Sequence, residues 1–266
     1  MPAFKEDINN AALDVSRALM SSSVWTALGW NDVRSRYNRS KLGVFWASLS
    51  ILIFVSALGP IYAKLFDVSI RDYTLHLMLG IMLWSYMSSI MMESAREYVN
   101  AANYLVSFRL SYFTLLLRVV WRNLVVFGYQ LIMFFVLALF LGLPFNSSWA
   151  IIPVALLLIT FAVLSIALLI SVVATRFRDL SELLNNVLRL VFFVTPIMWM
   201  PNLNPDLKLV AQLNPFYHLI EIFRAPLLTG QSDLLSWVIV CLLAFIGWFI
   251  AFPIFSIYRS KISFWL

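Results

Sequence analysis

Long apolar stretches separated by short polar ones run through most of the sequence. A helix needs about 20 apolar residues to cross roughly 30 Å of hydrocarbon. Six stretches meet or approach that length, at about 44–65, 73–92, 115–141, 149–174, 183–200 and 235–257, the fifth being the shortest and weakest. The stretch before the first span, "WNDVRSRYNRSKLGVFW", has a different pattern: Trp30, Val33 and Tyr37 share one helical stripe, Asp32, Arg36 and Arg39 lie away from it, and Arg34 and Lys41 flank it. That layout predicts an amphipathic helix lying in the membrane interface, or a plain basic anchor with an Asp32–Arg36 pair one turn apart. Residues 201–235 fit neither pattern. They mix apolar groups with Pro201, Pro205, Pro215 and Pro226, which predicts short re-entrant helices, with an extended outer loop as the alternative.

Composition agrees with the pattern. Hydrophobic residues make up 62% and charged residues 12% of the 266, far from the usage of soluble domains, so the chain is expected to be an all-α membrane protein. The net charge of +6 does not indicate nucleic acid, because the basic residues flank apolar runs and form no soluble basic face. Their distribution sets an orientation. With six spans and the N-terminus inside, the inner segments hold Lys5, Arg17, Arg34, Arg36, Arg39, Lys41, Arg96, Arg109, Arg118, Arg122, Arg176, Arg178, Arg189, Arg259 and Lys261, against Lys64, Arg71, Lys208 and Arg224 outside. Both termini are therefore expected in the cytoplasm. Asp14 and Arg17 interrupt the apolar region that a signal peptide needs, so the N-terminal segment, 1–43, is expected to stay on as a cytoplasmic element. The single cysteine, Cys241, allows no intrachain disulfide and is expected in the core.

Candidate chemistry is sparse. No glycine is followed by Lys, so the phosphate-binding loop of an ATPase is absent, and the spans carry almost no carboxylates with which to couple transport to protons or sodium. Ionisable residues at membrane depth are His76, Arg118, Arg122, His218, Glu221 and Arg224. Arg118 and Arg122 are read as reaching out to the interface, Glu221 and Arg224 as a pair, and the two histidines as isolated. Asp179 and Glu182 are expected to pair with Arg176 and Arg178 rather than to serve a membrane-embedded transferase. The segment 93–111, too polar to span, reads either as a solvated connector or as a short helix for a soluble partner.

Four blocks in order resemble the membrane subunits of type 2 ABC exporters of bacterial polysaccharides, of the O-antigen, capsule and teichoic-acid type. They are "DVRSRYNRSKLGVFW" (32–46), "LRVVWRNLVVF" (117–127), "ATRFRDL" (174–180) and "TPIMW" followed by "LNPFYHLIEIFRAPLL". The chain departs from the family pattern at Ser107, Ser111, Leu188 and Arg189. The resemblance implies one transmembrane domain over 1–266 that forms a homodimer in the bacterial inner membrane and moves undecaprenyl-linked polysaccharide. Two ABC ATPase subunits on the cytoplasmic side would bind ATP and Mg²⁺, leaving no cofactor, metal or catalytic site in this chain. It also implies a gate helix with Trp30, Asp32, Arg34, Arg36, Tyr37 and Arg39, and a coupling helix with Glu93, Arg96, Glu97, Tyr98 and Asn103. Sugar rings pack on aromatic faces, so Tyr62, Trp84, Tyr86, Trp199, Phe216 and Tyr217 are candidates for a substrate channel. An exporter of a drug or small lipid is the nearest alternative, and a membrane-embedded glycosyl or acyl transferase the alternative of another class.

Overall fold

Polar residues and prolines mark where the apolar stretches begin and end. The computed structural model describes residues 2–38, 41–102, 104–105, 110–203 and 205–266, so Arg39, Asn103 and Arg109 lie outside the described residues. Two helices precede the first long apolar one: α1 (Pro2–Met20) and α2 (Ser22–Tyr37). They are followed by α3 (Phe45–Leu65), α4 (Ile70–Asn100), α5 (Tyr112–Phe140), a 3₁₀ turn at Ser147–Ile151 leading into α6 (Ile152–Arg176), and α7 (Leu180–Val194). A 3₁₀ turn at Pro201–Leu203, α8 (Pro205–Leu213), α9 (Pro215–Leu228) and α10 (Leu234–Trp265) complete the chain. Side-chain caps open several of these helices. Ser69 accepts from the Asp72 amide, Asn214 from that of Phe216, and Asp233 from those of Leu235 and Ser236.

Among the described residues, five helical stretches are long and apolar enough to cross a membrane: Phe45–Leu65, Ile70–Asn100, Tyr112–Phe140, Ser147–Arg176 and Leu234–Trp265. The fifth expected stretch, at 183–200, differs. Its helix ends at Val194 after 15 residues, about 22 Å at 1.5 Å per residue and short of a hydrocarbon core. The cause is Pro196, which disfavours helical backbone at the residue before it, and Thr195 accordingly turns extended at ψ 136°. The chain nevertheless continues along α4 in the opposite direction. Arg96, near the end of α4, donates to Glu182 at 2.6 Å, and Tyr73, near its start, donates to the Met198 carbonyl at 2.6 Å. On α4 those two anchors are about 34 Å apart.

The axis of the fold is α4, packed against α3, α5, α6, α7 and α9. In its most apolar window 72% of the residues are buried, against 17% in α3 and 22% in α10, whose outer faces stay uncovered. Trp84 of α4 meets Phe192 of α7 and Phe216 of α9 edge-on at 5.8 and 5.4 Å, and Tyr86 leans on Phe127 of α5. At Gly80 a Cβ would stand 3.1 Å from Ile197, so the absence of a side chain lets the Thr195–Met198 connection lie against α4. Cys241 is exposed on the outer face of α10, a correction to its expected place in the core.

Candidate functional site

Charged residues that the sequence scatters over ninety positions meet where α2 crosses the end of α4 and the start of α5. Asp32 of α2 accepts a two-pronged bond from Arg118 of α5, with Nε and Nη2 each at 2.7 Å, and a third bond from Arg122 Nη1 at 2.7 Å. Glu93 of α4 accepts from Arg122 at 2.7 and 3.0 Å, from Asn123 at 2.7 Å, and from Arg36 of α2 at 2.8 Å. Glu97, one turn further along α4, is buried and lies 3.5 Å from Arg118 and 3.8 Å from Arg122. Asp32, Glu93 and Glu97 thus face Arg36, Arg118 and Arg122, so the charges balance and paired geometry offsets the cost of removing them from water. Partial burial works against the Arg36 charge, but the bond and charge of Glu93 outweigh it and raise the guanidinium's pKa.

This cluster revises several sequence expectations. Asp32 does not pair with Arg36 on its own helix: each reaches a different neighbour. Arg118 and Arg122 do not extend outward to an interface, and Arg122 is buried. On α2 the buried residues are Gly29 and Val33, while Trp30 is half exposed. Arg34 is also exposed, and Tyr37 and Arg34 line a shallow cavity with Val44 and Tyr129. Glu93, Arg96, Glu97 and Tyr98 belong to the last turns of α4 and form no separate helix. Glu93 and Glu97 are spent on α5 and α2, Tyr98 packs edge-on against Tyr112, and only Arg96 is exposed, bound to Glu182. Glu182 therefore does not pair with Arg176 or Arg178 as expected; Arg176 instead lies over the rings of Phe177 and Trp265. A cavity of about 420 Å³ opens beside the cluster, lined among others by Arg36, Glu93, Arg96, Asn100, Tyr104 and Arg118.

A second polar network ties the other end of α4 to the short helices. Arg224 of α9 is buried and donates to Glu221 at 2.7 and 3.1 Å, to the Pro196 carbonyl at 2.9 Å and to His76 Nε2 at 3.1 Å. A guanidinium can only donate, so the His76 nitrogen that faces it carries no proton. The Glu221–Arg224 pair is as the sequence predicts, whereas His76 is not isolated. His218 bonds Ser236 and the Gln212 carbonyl, both at 2.8 Å, and so fixes α9 to α8 and α10. Tyr217, Glu221 and Arg224 line a cavity of about 220 Å³ with Asp72 and His76.

The aromatic candidates separate by burial. Tyr86 is buried and hydrogen-bonded to Thr160 at 2.8 Å, so it packs in the interior of one chain. Trp84 is largely buried. Tyr62 stacks on Tyr73 at 6.1 Å, the Trp199 indole donates to the Phe193 carbonyl at 3.2 Å, and Phe216 packs on Trp84. Among the described residues no group of His, Cys, Asp and Glu is arranged to hold a metal ion.

A contact without any sequence signal joins the ends of the chain. Asp14 of α1 is buried and accepts from Arg259 of α10 at 2.9 and 3.1 Å, from the Ser111 hydroxyl at 2.7 Å and from the Phe113 amide at 3.1 Å. An acidic residue on a polar N-terminal helix looks like surface until its partners, 97 and 245 residues away, are known.

A family model described as "ABC-2 type transporter" matches residues 23–228. Curated relatives include an O-antigen export system permease protein, RfbA, of Myxococcus xanthus, 24% identical over 201 residues that cover 73% of this chain and 76% of the relative. Two proteins of the same name from Klebsiella pneumoniae are each 23% identical, over 81% and 75% of this chain and 83% and 78% of their own lengths.

Proposed function

Because this multi-pass chain belongs to the ABC-2 type transporter family, we propose that it is the channel-forming permease of an exporter that moves lipid-linked, O-antigen-like polysaccharide across the bacterial inner membrane. The observation that carries the reading is similarity along most of both lengths to three permeases named for O-antigen export. In this reading two copies form the conduit and two ABC ATPase subunits bind ATP and Mg²⁺ on the cytoplasmic side. Glu182–Met198, running back along α4, makes the fifth of six crossings and leaves both termini cytoplasmic. Helices α8 and α9 re-enter the membrane from outside.

The cluster around Asp32 gives α2 a role to match. A helix held by ion pairs to both α4 and α5 moves as they move, so α2 acts as a gate beside the inner opening, with Trp30 toward lipid. Since Glu93, Glu97 and Tyr98 face inward, the ATPase docks on the connection that follows Asn100, and α4 carries the motion from there to the Asp32 cluster.

Co-purification tests this assignment. A complex with an ABC ATPase whose ATP turnover depends on this chain is the expected result, and turnover of a substrate by the purified chain alone would contradict it.

A further inference from the structure

Helix α7 carries a polar stripe that its own chain leaves largely uncovered. Glu182, Asn185, Asn186 and Arg189 recur at the i, i+3, i+4, i+7 spacing of one helical face, and all but the half-buried Asn185 are exposed. Beside it Leu183, Val187, Leu190 and Val194 form an exposed apolar stripe. Two such faces side by side on a helix that runs along α4 place the apolar one toward lipid or another apolar surface and the polar one toward water.

Charge along the polar stripe is not balanced. Glu182 is neutralised by Arg96 at 2.6 Å and the asparagines are neutral. Arg189 has no hydrogen bond, ion pair or ring contact among the described residues. It sits about two turns along the helix from Glu182, on the wall of a groove of about 410 Å³ that it shares with Trp84, Ser88, Asn185, Phe192 and Phe193. Arg189 falls within the proposed fifth crossing and not with the inner charges among which the sequence count placed it. An unpaired arginine there is costly in lipid, so a water-filled path past this groove is the environment that suits it. Aromatic edges, an amide and a free guanidinium together are what a charged sugar needs. The rings take its C–H faces, the amide its hydroxyls, and the guanidinium takes a carboxylate or phosphate with two parallel bonds.

We propose that the Arg189 groove is a subsite for an oxyanion carried on the moving glycan, a uronate carboxylate or a phosphate substituent, so that the exporter favours anionic polymers. The proposal rests on the permease reading above and names its substrate class.

The test uses the full exporter, this chain with its ATPase, in nanodiscs. Labelled oligogalacturonate and a neutral malto-oligosaccharide of equal length are titrated separately. The anionic probe should bind about tenfold more tightly, the lower end of what a charge-assisted hydrogen bond supplies. In Arg189→Gln that ratio should fall to near one, and in Arg189→Lys, which keeps the charge but loses the second parallel bond, an intermediate ratio should remain. Recovery of each variant in complex with the ATPase establishes that it folds. Equal binding of the two probes, binding of neither, or discrimination that survives Arg189→Gln overturns the assignment. A sugar-free polyprenyl diphosphate forms a third arm: if Arg189→Gln weakens its binding alone, the oxyanion belongs to the lipid anchor and the proposal fails. Glycan trapped inside cells that lack the chain, together with any of these negative results, defeats the subsite and leaves the permease reading standing. Glycan reaching the surface of such cells defeats that reading itself.

Discussion

Asp32 takes three hydrogen bonds from two arginines on another helix, and that placement makes it the residue on which α2 depends. Replacing it with alanine leaves Arg36, Arg118 and Arg122 facing only Glu93 and Glu97, an excess of positive charge at partly buried positions. We expect Asp32→Ala to cost about 3 kcal/mol, the lower end for breaking a buried pair, read as a lower unfolding midpoint of the purified protein. A double-mutant cycle with Arg118→Ala should return a coupling above about 1 kcal/mol. Gly29, one turn earlier on the packed face of α2, is constrained by space: a Cβ there would lie 2.9 Å from the Trp121 ring and 3.1 Å from the Arg118 carbonyl oxygen. The carbonyl belongs to α5 and cannot yield, so Gly29→Ala should lift α2 from α5. Limited proteolysis within α2, faster than in the native chain, checks this outcome. The sequence makes each of these charges visible but not its partner. Spacing rules see only neighbours on one helix, so they offer Asp32–Arg36, whereas the real partners come from helices separated by 57 to 90 residues.

At the scale of elements, periodicity and length located α3, α5 and α6 closely, because a membrane-length apolar run has few alternatives to a helix, while α10 starts where expected and runs on to Trp265, past its expected end at 257. Two further boundaries differ for physical reasons. The helix expected to end near residue 92 continues as α4 to Asn100, since Glu93 and Glu97 find arginines and need no water. The helix expected to reach 200 stops at Val194, because Pro196 forbids its continuation. Proline is not a uniform signal, however: Pro60, Pro226 and Pro253 all lie inside helices. The short helices of the 196–228 region depend on Arg224, which joins α9 to α4 and to the Pro196 carbonyl. Lysine keeps the charge but cannot serve three separated acceptors at once. Arg224→Lys is therefore expected to speed amide hydrogen exchange across α8 and α9 while leaving α5 and α6 protected. His76→Gln, which keeps an acceptor for Arg224, should perturb that exchange less than His76→Ala. At the opposite end of α4, Asp14→Ala removes four bonds that hold α1 to α5 and α10, and should release α1 to proteolysis with the rest of the molecule intact.

For the whole molecule, composition alone identifies a membrane protein, and four blocks spread from Asp32 to Leu228 carry the family resemblance that the match over 23–228 bears out. The proposed assembly is less legible, because contacts between separate chains leave no pattern in one sequence. A lone copy leaves α3 and α10 mostly uncovered and shows α7 with a polar stripe facing outward, features that a second copy and a water-filled path would explain. In the proposed function this chain passes a finished, lipid-linked glycan across the membrane. The most direct measurement is the location of that glycan in cells lacking the chain. Polymer of normal length on its lipid carrier, accumulated inside and absent from the surface, is the predicted result. Polymer at the surface in normal amount, or polymer never made, would contradict it.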